Sequence, residues 1–382
     1  MRVLKSYQLT ILTTDTCTAA CAHCSMNSSP TRRGKLTSEQ ICDFIDQAIE
    51  ATNVSTIIFA GGEPLLLRED LFTSLQHVKR RGLKSRLVTN SYWANSEQRA
   101  LSITQKLFDH GLNELNLSID DFHLPFISPL NVRRAFDAAR QFDFDSIIIV
   151  HCTGPQTKFN DRELDDLLGV KLPRMYDDER ELVPLDARLG RPYLAVSNTT
   201  VQNIGRANIA LRPEEIPFTQ NWETQVTNLG GCPYAVRSPA ISPEGHLLSC
   251  CGFEVAGNEV LDIGDLKRET MEDLLNRADN DLPLNMIALE GPYRIRDLLK
   301  KHKPDLPFKK RYSSYCELCQ DIVTKPELRQ GLYSIMPLRV PHIVAMRKDL
   351  EDRARQEAKI DALYHAADLA TEPLEANNEL LT

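Results

Sequence analysis

The chain has 382 residues, a length that predicts two or three domains. Its 45 basic against 53 acidic side chains give a formal net charge of −8, so no overall basic surplus is available to hold a nucleic-acid backbone. No stretch approaches 18 uninterrupted apolar residues, and the first six residues lack the apolar core of a signal peptide, which together predict a cytoplasmic protein without a membrane span.

A group of three cysteines follows the first predicted strand, residues 8–13. In a reducing compartment, cysteines favour metal ligation or catalysis over disulfides. Cys17, Cys21 and Cys24 fall close enough together for iron–sulfur ligation, whereas structural zinc sites take four protein ligands. His23 is a candidate fourth ligand, but its place between two of the cysteines would strain chelation. Three thiolates and one open position fit a four-iron cluster whose last iron accepts another molecule.

Strands and helices then alternate along the chain. A capping pattern of Thr37 with Gln40 begins the first predicted helix, and apolar faces at helical spacing predict the others. The intervening strands are predicted at residues 56–60, 86–90, 114–120 and 146–150. This alternation is typical of a parallel sheet with right-handed crossovers, and in a closed or partly closed barrel the chemistry lies at the carboxyl ends of the strands.

Glycine and polar residues occupy those predicted strand ends. The segment 61–64, Gly-Gly-Glu-Pro, follows the second strand, and Asn90 ends the third. On the fourth strand Asn116, Ser118 and Asp120 alternate with apolar residues and share one face. Taken singly, these features are more typical of a turn, a strand cap and a solvated face. Because these residues and the cysteine trio all follow predicted strand ends, they predict a single functional site at the carboxyl ends of the strands.

With these motifs in this order, residues 7–210 resemble the radical S-adenosylmethionine (SAM) superfamily. The trio matches the C-x3-C-x2-C signature, with His23 where relatives usually carry an aromatic residue. Residues 61–64 resemble the "GGEP" segment, 88–90 the "TNG" segment with Ser91 in place of glycine, and 204–207 the "GRA" segment.

The resemblance implies an α/β fold with a partial (β/α)6 barrel. It also implies a [4Fe-4S] cluster on Cys17, Cys21 and Cys24, and radical chemistry initiated by reductive cleavage of SAM. The residues that the resemblance assigns to SAM binding are His23, Gly61, Gly62, Glu63, Pro64, Asn90, Ser118 and Asp120.

A second cysteine set lies downstream. Cys232, followed by a glycine and by Cys250, resembles the opening of the SPASM and twitch extensions of this superfamily, and Cys316 with Cys319 supplies a C-x2-C pair. The resemblance implies one auxiliary [4Fe-4S] cluster on these four residues, used for electron transfer, with a zinc site as the alternative. Cys251 is left over: it replaces Cys250 as a ligand, stays idle, or donates a hydrogen atom.

Three regions are predicted: the barrel at 1–215, a small α+β domain carrying the auxiliary cluster at 216–335, and a helical tail at 336–382. Charge and proline at 171–192 predict an inserted loop, and 338–370 predicts an amphipathic helix beginning after Pro341. Cys42 and Cys152 stand apart from both sets and are predicted to be small buried apolar residues.

Substrate prediction is less direct than prediction of the chemistry. The architecture favours tailoring of a ribosomally made peptide by crosslinking or epimerisation. Only sixteen residues precede Cys17, which leaves no room for a leader-binding domain and weakens this interpretation unless a separate protein binds the leader. The alternatives are dehydrogenation or epimerisation of an aminocyclitol or sugar, sulfatase-type protein oxidation, and a non-enzymatic metal-binding scaffold. The enzymatic readings need a reducing partner such as flavodoxin or ferredoxin, and none involves nucleic acid or membrane.

Overall fold

Six parallel strands form the first part of the sheet in a computed structural model that describes residues 2–176, 191–217 and 231–370. Each strand pairs in parallel with the next along the chain. The strands are β1 (Gln8–Leu12), β2 (Thr56–Ala60), β3 (Lys84–Thr89), β4 (Glu114–Ser118), β5 (Ser146–Thr153) and β6 (Tyr193–Thr200). Much of the predicted inserted loop at 171–192 lies outside the described residues.

One helix lies between each pair of consecutive strands, as the alternating pattern predicts. They are α1 (Ser38–Ala51), α2 (Glu69–Arg80), α3 (Glu97–Asp109), α4 (Pro129–Ala139) and α5 (Asp161–Leu168). The capping box at the start of α1 is present, with the Thr37 hydroxyl accepting from the Gln40 amide. A short 3-10 turn (Pro64–Leu67) precedes α2, and a one-turn helix, α6 (Ala207–Ala210), follows β6. The predicted α/β fold with a parallel sheet is therefore confirmed.

The downstream region extends the same sheet rather than forming one of its own. Its strands β7 (Ala240–Ile241), β8 (His246–Leu248) and β9 (Asp262–Asp265) give the order β6-β5-β4-β3-β2-β1-β7-β8-β9. The strand β7 runs parallel to β1, while β8 returns antiparallel to β7 through a hairpin. Because β1 is hydrogen-bonded on both sides, the first strand of the barrel also supports the second cysteine region.

Helices complete this second part. They are α7 (Met271–Asn280), α8 (Leu282–Asn285), a π-helical turn (Met286–Glu290), α9 (Gly291–His302), α10 (Tyr315–Thr324) and α11 (Pro326–Ala370). The prediction that the last helix begins after Pro341 is wrong, since α11 already begins at Pro326 and runs through both Pro337 and Pro341. Buried Leu328, Leu332 and Ile335 pack this earlier part of the helix against the core, and such tertiary packing compensates for the main-chain bonds that the prolines remove.

The core lies between the sheet and its helices. Ile57, Phe59, Leu115, Leu117 and Ile147 are each fully buried, as the alternation of the strands predicts. Within the described residues, no helix is both long enough and apolar enough to cross a membrane.

Candidate active site

One cavity of about 540 Å³ lies between the carboxyl ends of the barrel strands and the second cysteine region. Every cysteine predicted to ligate a cluster lines it, and so does Cys251: Cys17, Cys21, Cys24, Cys232, Cys250, Cys251, Cys316 and Cys319. Most of the residues predicted to bind SAM line the same cavity: His23, Gly61, Gly62, Asn90, Ser118 and Asp120. The two remaining predicted residues, Glu63 and Pro64, lie buried behind its wall.

The cysteine trio occupies a loop after β1 that main-chain hydrogen bonds fold back on itself. The Cys17 N–H donates to the Ser29 carbonyl over 3.1 Å, and the Cys24 N–H donates to the Cys21 carbonyl over 3.1 Å. Burial raises the pKa of the Cys17 thiol to about 12. Ionisation of a thiol in this setting needs a compensating cation, which an iron–sulfur cluster provides.

Arg206, just before α6, fastens the trio loop to the end of the barrel. Its guanidinium donates to two carbonyl oxygens of the loop, that of Cys21 over 2.8 Å and that of Ser28 over 2.6 Å. Gly205 has a positive φ of 55°, and a Cβ there would lie 2.6 Å from the Cys24 carbonyl oxygen. The close approach of the two segments therefore requires glycine at this position.

The Gly61-Gly62 segment after β2 also lies directly against this loop. The Gly62 N–H donates to the Thr14 carbonyl over 2.5 Å, and the Glu63 N–H donates to the Thr16 carbonyl over 3.0 Å. A Cβ on Gly62 would lie 2.1 Å from the Thr16 oxygen, and Gly61 has a φ of 119°. Only glycine fits such contacts, so main-chain groups, without side chains, border the cavity at this point.

Glu63 ties the end of β2 to the end of β3 with a fully buried carboxylate. One oxygen accepts from the Leu65 N–H (3.2 Å) and the Thr89 hydroxyl (2.9 Å), and the other accepts from the Asn90 N–H (2.9 Å). Burial raises the pKa of Glu63 to about 7 despite these donors. The Asn90 side-chain amide lies 3.5 Å from the Cys17 sulfur, so Glu63 positions a residue in direct contact with the trio.

Asp120, at the end of β4, anchors two imidazoles beside the trio. Its carboxylate accepts from the Phe122 N–H (2.9 Å) and from the ring of His123 (2.8 Å), and it lies 3.4 Å from Nε2 of His23. Burial opposes ionisation, but the neighbouring histidines lower the pKa of Asp120, which in turn raises the pKa of His123 to about 10.

His23 is oriented by the same carboxylate. Its ring stacks on Phe122 with centroids 4.6 Å apart, and its Nε2 is directed toward Asp120. This arrangement supports the three cysteines as the cluster ligands, without His23. The stacked imidazole then takes the place of the aromatic residue that relatives usually carry at this position.

Two serines complete the strand ends. Ser118 is buried on β4 at the cavity wall. Ser91 adopts a left-handed φ of 63°, a conformation that glycine adopts more readily than other residues. The serine therefore keeps the backbone shape expected at this position.

The second cysteine set gathers between the hairpin and α10. A Cβ on Gly252 would lie 3.4 Å from the Cys316 sulfur and 3.9 Å from the Cys250 sulfur, so both thiols approach the same point. Burial raises the pKa of the Cys250 thiol to about 12, and burial followed by the charges of the other cysteines raises the pKa values of Cys316 and Cys319. Four thiolates this close together would repel one another, and a metal cluster would compensate their charge.

Cys251 lines the same part of the cavity, and its charge acts on the thiols of Cys250 and Cys316. Cys251 is exposed and forms part of the cavity wall, whereas Cys232 and Cys319 are buried. Cys319 interacts electrostatically with Cys232, Cys250 and Cys316 but not with Cys251. This placement supports Cys250 as the ligand and leaves Cys251 facing the cavity.

The two cysteine regions contact each other through residues outside both sets. The main-chain N–H of Glu254 donates to the Ser25 carbonyl over 3.2 Å, and its carboxylate pairs with Arg32 over 2.7 Å. At the other end of the cavity, the Asn203 amide donates to Glu317 on α10 over 2.8 Å. The relative positions of the two regions are therefore held by hydrogen bonds at both ends.

Some features of the site were not predicted from the sequence. The roles of Arg206 and His123 were not predicted, although His123 lies three residues after Asp120, a spacing that allows a side-chain contact in a turn. Cys152 is buried as predicted but lies at the cavity wall, whereas Cys42 is only half-buried on α1.

The chain is similar in sequence to a known family and to a known bacterial protein. Residues 11–168 match the family model described as "Radical SAM superfamily". The Bacillus subtilis (strain 168) protein named "Putative peptide biosynthesis protein YydG" is 22% identical over 334 residues, which are 84% of this chain and 93% of the relative.

Two solved structures of anSMEcpe share the fold. The form with bound AdoMet has a TM-score of 0.51 at 14% identity, and the form with AdoMet and a Cp18Cys peptide has a TM-score of 0.50 at 13% identity. Each comparison covers 90% of this chain and 99% of the other chain.

Proposed function

Since residues 11–168 belong to the radical SAM superfamily, we propose that this protein is a radical SAM enzyme that tailors a ribosomally made peptide. The observation that carries the proposal is that one cavity is lined by both cysteine sets and by most of the predicted SAM-binding residues. A metal-storing scaffold has no need for this convergence on a shared space.

The residues present fit the two cofactors of the first site. Cys17, Cys21 and Cys24 would hold a [4Fe-4S] cluster, and the glycine main chain at Gly61 and Gly62 would receive the amino group of SAM. When bound, the cluster and SAM together supply a 5′-deoxyadenosyl radical able to abstract hydrogen from an unactivated carbon. The protein contributes position, through Arg206 and Glu63, and exclusion of water by the buried walls.

The second set would hold one auxiliary [4Fe-4S] cluster on Cys232, Cys250, Cys316 and Cys319. The four thiols saturate such a cluster, so no position would be left for substrate. We assign it to electron transfer, and zinc is the alternative that metal analysis distinguishes.

The name of the Bacillus relative supports a peptide as the substrate, since the match extends over 93% of that protein. A leader-binding protein and a one-electron reductant would complete the system. Both partners belong to the proposal.

Between crosslinking and epimerisation, the position of Cys251 favours epimerisation. Cys251 is exposed at the cavity wall and is not one of the four cysteines proposed to hold the auxiliary cluster. After a hydrogen atom leaves a peptide α-carbon for the 5′-deoxyadenosyl radical, the Cys251 S–H would return one hydrogen atom from another direction. One electron from the reductant and one proton from solvent then restore the thiol, so atoms and electrons balance.

The experiment combines anaerobically reconstituted enzyme, SAM, dithionite and a candidate precursor peptide, in D2O. Epimerisation adds one deuterium to the product, whereas a crosslink lowers the mass by two hydrogens. In the Cys251→Ser variant we expect 5′-deoxyadenosine to form while the epimerised peptide is lost, with Cys42→Ser as the matched control.

Unchanged epimerisation in Cys251→Ser would remove this cysteine from the mechanism. Absence of 5′-deoxyadenosine from the wild-type enzyme would refute the radical SAM assignment itself. Turnover of an aminocyclitol or sugar, with the peptide left unmodified, would replace the peptide by a small-molecule substrate.

A further inference from the structure

A concentrated positive charge lies just before the last two cysteines of the second set. Residues 291–312 contain eight lysines and arginines but only two aspartates, an excess of six positive charges in a chain whose net charge is −8. Such local asymmetry exceeds what a solvated helix in an acidic protein requires. It therefore calls for a functional explanation.

Most of these cations are exposed. None of the exposed ones forms an ion pair with another described residue, although exposed carboxylates are plentiful elsewhere in the described ranges. We call this set the basic patch; it consists of Arg294, Lys300, Lys301, Lys303, Lys310 and Arg311. By contrast, Lys309 turns inward, where its ammonium lies 2.7 Å from Glu317.

The fold brings the two halves of the basic patch together. The loop after α9 returns along the end of that helix, and the Lys300 ammonium lies 6.0 Å from the centre of the Phe308 ring. Leu299 of α9 and Leu306 of the loop both approach Gly331 of α11, within 3.2 Å and 3.0 Å of a Cβ built there. The lysines at the end of α9 and the cations at 310–311 therefore belong to one surface.

This surface borders the second cysteine set. Arg311 precedes Cys316 by five residues, which span at most about 18 Å even when fully extended. Lys309 is bonded to Glu317, the residue next to Cys316 on α10. No residue of the basic patch lines the cavity, so the patch is separate from the place where substrate reacts.

From this placement we infer that the basic patch is a docking surface for a small acidic electron-carrier protein of the flavodoxin or ferredoxin type. The inference rests on the proposed function, which needs one electron at a time from outside. Opposite charges steer such short-lived encounters, and redox interfaces are small enough for one helix end and its loop to serve. An acidic peptide leader is the competing occupant, but it must deliver its reactive residue to the cavity, which no residue of the basic patch lines.

The test reverses charge on the full-length, anaerobically purified protein. The variant K300E/K301E/K303E changes three residues of the basic patch. Its matched control, R99E/K267E/K348E, makes the same change in charge at exposed positions on other elements. Flavodoxin is the probe, with affinity measured at low and high salt, and SAM cleavage is compared with flavodoxin and with dithionite as the reductant.

We expect the patch variant to bind flavodoxin at least roughly 10-fold more weakly and to lose most of the salt dependence, with the control within about twofold of wild type. SAM cleavage driven by dithionite should be unchanged in both variants. Equal flavodoxin affinity in the patch variant and wild type, or equal losses in patch variant and control, would overturn the inference. Loss of precursor-peptide affinity with flavodoxin binding intact would assign the surface to the leader instead.

The binding measurement does not depend on turnover. If the wild-type protein bound flavodoxin through the basic patch yet cleaved no SAM with dithionite, the proposed function would fail while the docking surface stood.

Discussion

The two cysteine regions border the same cavity but are built differently. The first places three cysteines on one short loop, which is held by main-chain hydrogen bonds and by Arg206 from a distant segment. The second gathers four cysteines from three separate stretches between residues 232 and 319, including the hairpin and α10. For the proposed clusters, the first would be an incomplete donor set on a preorganised loop, and the second would be a complete donor set that needs tertiary structure to assemble.

This difference predicts separate roles for the two cysteine sets, the first in the reaction itself and the second in supporting it. A donor set with one position open can bind a reactant, whereas a saturated one can only carry charge or hold the fold. The predictions that follow test this division, from the largest expected effect to the smallest.

Replacing Cys21 with alanine should abolish SAM cleavage. The cluster would keep only two of its thiolate ligands, so about four irons per chain should be lost, while the second set keeps its own. Iron content and 5′-deoxyadenosine formation measure the two effects. If Cys21→Ala retained both, the trio would not be the site of the radical chemistry.

Replacing Cys319 with alanine should produce the opposite pattern. About four irons should again be lost, but SAM cleavage driven by dithionite should remain, because the first site is intact. Product formation from the peptide should fall to background. Cys42→Ala is the matched control, since this cysteine belongs to neither set, and full product formation by Cys319→Ala would contradict the assigned role of the second set.

The buried carboxyl group of Glu63 should make the free energy of unfolding fall as the pH rises. Burial raises its pKa to about 7 in the folded protein, above the ordinary value of 4.5, so the folded state binds the proton more tightly than the unfolded state. Stability should therefore fall as the pH rises from about 4.5 to about 7, by about 3 kcal/mol at most.

Denaturant unfolding across that pH range measures this slope. In Glu63→Gln the slope should flatten, whereas Glu97→Gln, at the exposed start of α3, should leave it unchanged. An unaltered slope in Glu63→Gln would show that another group is responsible.

Replacing Arg206 with lysine should have the smallest effect of the four. A single ammonium cannot reproduce the forked contact with the Cys21 and Ser28 carbonyls, and losing one charged hydrogen bond costs about 1.5–3 kcal/mol. Cluster assembly on the trio should slow while assembly on the second set is unaffected, as iron uptake would report. Equal slowing at both sets would indicate a general loss of stability.

The parts of the molecule that were predictable from sequence are those set by local pattern. Apolar spacing and the Thr37 capping box place the helices and strands of the barrel, and cysteine spacing identifies both sets. The predicted strand ends do converge on one cavity, because parallel strands share a common carboxyl edge.

What escaped prediction depends on contacts between distant segments. The reach of Arg206 across more than 170 residues to the trio loop leaves no periodic signal. The same holds for the packing that lets α11 run through two prolines. Each of these is decided by which surface is nearby in the folded chain.

The pairing of β1 with β7 has a consequence for how the chain matures. Until residues near 240 leave the ribosome, one side of β1 has no strand beside it. Its unpaired N–H and C=O groups then form an exposed edge that can pair with a strand of another chain. A fragment stopped near residue 215 would therefore tend to self-associate into aggregates. Biogenesis of the barrel thus waits on a hairpin synthesised more than 200 residues later.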